Sequence, residues 1–124
     1  MSKSSFILVL FSVTLSSTAQ LLLKAGMTSD VIQRALASGR GLLIIPGIAA
    51  TPQIFAGLAT FALSVLTWLF VLSKVEVSQA YPAVALGIVV TALGGYFLFG
   101  EALNYIRILG ITIVITGVAV VAAS

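Results

Sequence analysis

A chain of 124 residues, 60% apolar and 7% charged, falls far below the ~25% charged residues of an ordinary water-soluble domain. Its nine charges cannot cover a small folded surface, so most of that surface must face hydrocarbon, as a mean hydropathy of +1.26 also implies. Without Cys or His, the chain has no disulfide framework, no thiolate or imidazole zinc site and no Cys/His or Ser/His/Asp nucleophile.

The charged residues divide the chain into stretches of bilayer length. Ser4 to Leu23 is uncharged between Lys3 and Lys24, matching the ~20 residues that cross a hydrocarbon core at ~1.5 Å per residue. A helix is expected over 4–24. Lys3 followed by an apolar run also fits a signal peptide, but the run fills a bilayer and further spans follow, so a retained helix is expected. Lys24 to Arg40 is the one sizeable polar loop. Within it Val31, Ile32, Ala35 and Leu36 recur at helical spacing opposite Asp30, Gln33 and Arg34. That pattern fits either a short amphipathic helix on the membrane surface, about 29–38, or an ordered linker.

Pro46, Gly47 and Pro52 predict an irregular approach to a second span over 51–73. A third span is expected over 77–100, and a fourth over 104–123 with Arg107 one turn inside its start. Helices satisfy their own backbone groups in lipid, and these long apolar runs do not pattern as barrel strands. The expected fold is therefore an all-α membrane protein, a single domain over 1–124 built as a bundle of four transmembrane helices.

The basic residues give a net charge of +3, but they are spread singly, which excludes a phosphate-binding patch for nucleic acid. Lys3 and Lys74 fall on one side of the membrane, and Lys24, Arg34, Arg40 and Arg107 on the other. This small bias favours the N-terminus outside.

Polar residues inside the spans mark candidate sites. Ser16 and Gln20 share one side of the first span, where they either pack helices together or line a substrate groove between subunits. In the third span Gly87, Thr91, Gly94 and Gly95 continue a small face suited to close helix packing. Tyr81 is an interfacial anchor or a cargo contact, and Pro82 breaks the backbone pattern beside it, as a gating bend or as a tolerated first-turn proline. Trp68, with Phe55, Phe61 and Phe70, suits lipid contact, an aromatic belt or a hydrophobic cargo surface. Glu101 is placed to accept hydrogen bonds or to pair with Arg107. No Asp, Glu, Lys or Arg lies deep in the first three spans, which disfavours proton antiport through a central carboxylate.

Four segments then carry a family resemblance: STAQLLLK at Ser17 to Lys24, WLFVLSKVEVSQAYP at Trp68 to Pro82, FLFGEAL at Phe97 to Leu103, and LGITIVITGVAVV at Leu109 to Val121. Together they resemble small four-helix members of the drug/metabolite transporter superfamily, EamA-like and small multidrug resistance-like. The embedded Glu of the multidrug exporters aligns with Ser16 here, and the Trp of their third helix aligns roughly with Val84. Through Gln20/Lys24, Ala80-Tyr81-Pro82 and Glu101, the chain looks closer to the small subunits that flip aminoarabinose-phosphoundecaprenol.

The resemblance implies a bacterial inner-membrane protein working as a homodimer or heterodimer with a similar four-helix subunit. The expected function is transport of an amphiphilic or lipid-linked metabolite, without covalent chemistry, cofactor or metal. Ser16, Gln20, Lys24, Trp68 and Tyr81 are the expected substrate contacts, with Lys24 attracting a phosphate at the rim. The rival readings are a small-molecule or multidrug exporter of the same fold and a non-transporting accessory subunit of a larger membrane complex.

Overall fold

The computed structural model describes residues 2–39 and 41–124; Arg40, counted above among the basic residues, lies outside them. Helix α1 spans Lys3–Met27. Ser2 caps it, its hydroxyl accepting the Ser5 N–H at 3.2 Å, and Lys24 in the last turn complements the helix dipole. Helix α2, Asp30–Ala37, buries Ile32 completely. That side chain packs toward Gly47.

Expected as an irregular approach, the next segment is helical instead. A 3-10 turn at Gly41–Leu43 leads into α3, Ile44–Ala50. Pro46 sits in the first turn of α3, where a backbone N–H would have no intrahelical partner anyway. The chain breaks at Thr51, which is extended, and restarts with Pro52 as the first residue of α4, Pro52–Leu72.

The third span is not one uniform helix. It comprises α5 (Val77–Ala80), a 3-10 segment (Tyr81–Ala85) and α6 (Leu86–Phe99). Pro82 lacks the N–H that a continuous α-helix would use, and the tighter 3-10 winding accommodates the gap. Gly100, at φ +66°, ends α6 in the left-handed conformation that a side chain disfavours. Helix α7, Tyr105–Ala123, starts where Asn104 Oδ1 accepts the Arg107 N–H at 2.8 Å.

Among the described residues, four segments are long and apolar enough to cross a membrane: Lys3–Met27, Pro52–Leu72, Val77–Phe99 and Tyr105–Ala123. Helix α1 lies at the centre, packed against α4 and α6. Two buried serines clasp α1 to α4: Ser12 Oγ donates to the Ser64 carbonyl, and Ser64 Oγ donates to the Ser12 carbonyl, each at 3.0 Å. Small residues allow the close approach that drives helix association in lipid. A Cβ at Gly57 would lie 2.9 Å from Leu23 and 3.2 Å from the Ala19 carbonyl oxygen, and one at Gly87 would lie 2.7 Å from Ser17 Oγ. Val9, Val13, Val71, Val75, Ala80 and Ala83 form the core beneath Trp68 and Leu86. Helix α7 touches only the 3-10 segment and α6 to any extent, and Val118 is its one buried residue among those described.

Candidate functional site

The arrangement of α1, α4 and α6 leaves a lateral groove. Two cavities, of about 150 and 270 Å³, share Ser16, Phe61 and Val84 along it. Trp68 and Tyr81 line the first, and Gln20, Gly87 and Thr91 the second. The Trp68 and Tyr81 rings meet edge to face, centroids 6.5 Å apart at 69°. This contact depends on the 3-10 segment, which turns Tyr81 toward α4. A larger cavity of about 400 Å³ lies between the start of α1 and the end of α7. Its lining is Ser2, Lys3, Phe6, Ile7 and Ala122, with fewer polar groups than the lateral groove, which is the candidate site.

Hydrogen bonding sorts the groove's polar atoms into two groups. The hydroxyls of Ser12 and Ser64 are committed to the clasp, Ser16 Oγ donates to the Val13 carbonyl at 3.0 Å, and Thr91 Oγ1 donates to the Ile88 carbonyl at 3.1 Å. Their remaining capacity is to accept. Among the described residues the Gln20 amide, the Trp68 indole N–H and the Tyr81 hydroxyl have no hydrogen-bond partner. The groove therefore offers three kinds of free donor against an apolar wall of Phe61, Val65 and Val84.

Lys24 does not line this groove. Its Nζ lies 3.8 Å from Glu101 Oε2, joining the end of α1 to the α6–α7 connection. Of the two roles open to Glu101 in the sequence, accepting hydrogen bonds or pairing with Arg107, the pairing goes to Lys24 instead, because α1 packs beside α6 and brings Lys24 to the connection. Arg107 instead donates through Nη1 to the Ala102 carbonyl at 2.6 Å. Glu101 and Arg107 line a fourth cavity, of about 290 Å³, and Ile88 and Thr91 line both it and the groove.

The small face of the third span divides in two. Gly87 and Gly94 face Ser17 and Leu21 of α1, as close helix packing requires. Thr91 lines cavities, and Gly95 faces the Glu101 carboxylate where a Cβ would overlap Oε1. Pro82 lies inside the 3-10 segment rather than at an α-helical bend. Phe61, one of the aromatics suited to a cargo surface, and Val84, aligned with the third-helix Trp of the multidrug exporters, are common to both groove cavities. The seven-residue interval from Phe61 to Trp68, two helical turns on one face, is the signal that places Phe61 there.

Several proteins are similar to this chain over most of its length. It is 32% identical over 109 residues, 86% of this chain and 84% of the relative, to a Yersinia enterocolitica protein named probable 4-amino-4-deoxy-L-arabinose-phosphoundecaprenol flippase subunit ArnF. A Shewanella sediminis protein of the same name is 32% identical over 119 residues, 90% of this chain and 82% of the relative. A Pseudomonas aeruginosa protein named as the corresponding ArnE subunit is 34% identical over 74 residues, 60% of this chain and 64% of the relative. No solved structure matches. The four apolar spans and these relatives make the chain a multi-pass protein of the bacterial inner membrane. The EamA-like transporter family matches residues 2–123, and the chain belongs to it.

Proposed function

We propose that this chain is one subunit of a dimeric flippase that carries a lipid-linked phosphosugar across the inner membrane. Its proposed substrate is the 4-amino-4-deoxy-L-arabinose-phosphoundecaprenol of the relatives' names. The carrying observation is the set of free donors at Gln20, Trp68 and Tyr81 in a groove that opens sideways between α1, α4 and α6. A headgroup leaving water for the bilayer must replace its hydration, and donors aimed at sugar and phosphate oxygens supply that replacement. The prenyl tail stays in lipid along the apolar wall. No bond is made or broken, and no Asp, Glu, Lys or Arg lines the two groove cavities, so proton exchange within the groove has no carboxylate carrier.

A groove open along one side needs a second wall, and a partner subunit of the same architecture provides it. Likeness to proteins named ArnF and to proteins named ArnE supports pairing between two such chains. Helix α7 supports it as well: nothing within the subunit approaches a Cβ built at Gly110 or Gly117. Gly117→Leu is expected to leave the subunit folded while shifting detergent-solubilised protein from dimer to monomer, read by mass photometry or light scattering. Retention of the dimer places the interface elsewhere.

The functional test is reconstitution of the chain, with and without a co-expressed ArnE-like subunit, into vesicles carrying the labelled lipid-linked amino sugar, followed by leaflet accessibility. Gln20→Ala is expected to slow flipping about two- to tenfold, the equivalent of one neutral hydrogen bond. Unchanged rates with every partner combination refute the flippase reading. Stoichiometric proton flux with a cationic dye supports the exporter instead.

A further inference from the structure

We propose that the cavity between α6, the α6–α7 connection and the start of α7 is a receptor for a zwitterionic headgroup. In it Glu101 takes a ligand ammonium, Arg107 takes the ligand's phosphodiester, and Lys24 is the internal counter-ion that the ammonium displaces. The proposal rests on the flippase reading and adds to it a second site and the residues that recognise the headgroup's two charges.

The starting point is that opposite charges share one cavity without neutralising each other. Glu101 and Arg107 both line it, yet the carboxylate is paired with Lys24 and the guanidinium with the Ala102 carbonyl. Each is held in place by backbone structure. The Glu101 N–H donates to the Gly95 carbonyl at 3.0 Å across Gly100. Its carboxylate occupies the position a Gly95 Cβ would need. Arg107 is set in the first turn of α7, with its own N–H bound by Asn104 at 2.8 Å. One Nη1 contact to Ala102 leaves guanidinium N–H groups available, and a planar guanidinium matches phosphate oxygens two at a time.

The Lys24–Glu101 pair is easily exchanged. At 3.8 Å, with side chains 49% and 47% exposed, it belongs to the class of ion pairs whose net contribution is small. A ligand ammonium that keeps Glu101 paired replaces Lys24 at little cost, whereas an uncharged N-acyl group leaves the carboxylate with no new partner. A ligand carrying phosphate alone engages only Arg107. The site thus distinguishes a free amine from its acylated form, and a sugar phosphate with an amine from one without.

Size and position agree with a headgroup rather than a whole lipid. About 290 Å³ lies at the lower edge of the ~300–1,000 Å³ usual for small-molecule sites. Ile88 and Thr91 line both this cavity and the lateral groove. A headgroup held at Glu101 and Arg107 is therefore one step from the donors at Gln20.

The test measures equilibrium binding to detergent-solubilised protein, by native mass spectrometry or calorimetry. Two probes are used: a short-chain prenyl phosphate bearing 4-amino-4-deoxyarabinose, and the same lipid N-acetylated. The wild-type chain is expected to prefer the free amine by about tenfold or more. Glu101→Gln is expected to reduce that preference to about twofold or less, with an unfolding temperature in detergent close to that of the wild type showing that the variant is folded. Lys24→Gln removes the same ion pair but keeps the carboxylate, and it is expected to retain the preference. If Glu101→Gln keeps the tenfold preference, or Lys24→Gln loses it, the receptor assignment is overturned. Equal binding of both lipids by the wild type overturns the assignment and leaves the flippase reading standing; binding of neither, with and without a co-expressed ArnE-like subunit, overturns both.

Discussion

Gly57→Val is expected to separate α1 from α4 and to abolish transport with the loss of the groove between them. A Cβ at this position meets Leu23 at 2.9 Å and the Ala19 carbonyl oxygen at 3.2 Å. Leu23 can change rotamer, but the Ala19 oxygen belongs to helix backbone and cannot yield without moving α1. Overpacking of this kind costs about 1–3 kcal/mol in a tight interior, and a β-branched side chain adds two methyl groups to the collision. Thermal unfolding in detergent is expected to shift down by several degrees, with flipping undetectable. Gly57→Ala tests the same contact more gently and is expected to retain part of both. The Ser12–Ser64 clasp lies nearly two turns of α4 beyond Gly57 and shares the same helix pair. Its reciprocal hydrogen bonds have no good geometry once the helices part, so the two losses are expected to be coupled rather than additive.

The spans are legible in the sequence because hydrocarbon imposes a length and forbids charge, and Lys3, Lys24, Lys74, Glu76 and Glu101 mark the ends. Backbone detail is less legible. Pro46 reads as a breaker but falls in a first turn, where the missing N–H has no cost, while Pro82 falls after one helical turn and imposes 3-10 winding. Side-chain partners across helices depend on which helices are neighbours, which periodicity does not state. Sequence proximity favours Glu101 with Arg107. The packing of α1 beside α6 gives Glu101 to Lys24 instead, although both residues were assignable to the same membrane face by counting spans. Ser12 and Ser64 are likewise two unremarkable hydroxyls until α1 and α4 are set face to face. Ser16 and Gln20 are different, because polar groups on one side of a lipid-spanning helix have few explanations, and both line the groove.

Trp68→Ala is the second large effect expected, and its companion Tyr81→Phe separates packing from recognition at the same place. Trp68 lies against the cluster of Val9, Val13, Val71, Val75, Ala80 and Ala83, and its ring meets Tyr81 edge to face. Truncation removes both contacts and enlarges the adjoining cavity of about 150 Å³. Buried aromatic-to-alanine changes cost about 3–5 kcal/mol. Because Trp68 is half-buried, the lower end of that range is expected, enough to lower the unfolding temperature markedly and to stop transport. Trp68→Phe fills most of the volume without the indole N–H, so it is expected to restore stability but only part of the flipping rate. Tyr81→Phe keeps the ring contact and deletes one free donor in the groove. It is expected to leave unfolding unchanged and to slow flipping about two- to tenfold, as loss of one hydrogen bond predicts. Trp68 is the only tryptophan in the chain, so its fluorescence reports this cavity directly. Addition of the lipid-linked amino sugar is expected to shift the emission in the wild-type protein and in Tyr81→Phe, at a higher concentration in the variant. A Tyr81→Phe protein that flips at the wild-type rate removes the tyrosine hydroxyl from the recognition set and leaves Tyr81 as a purely packing partner of Trp68.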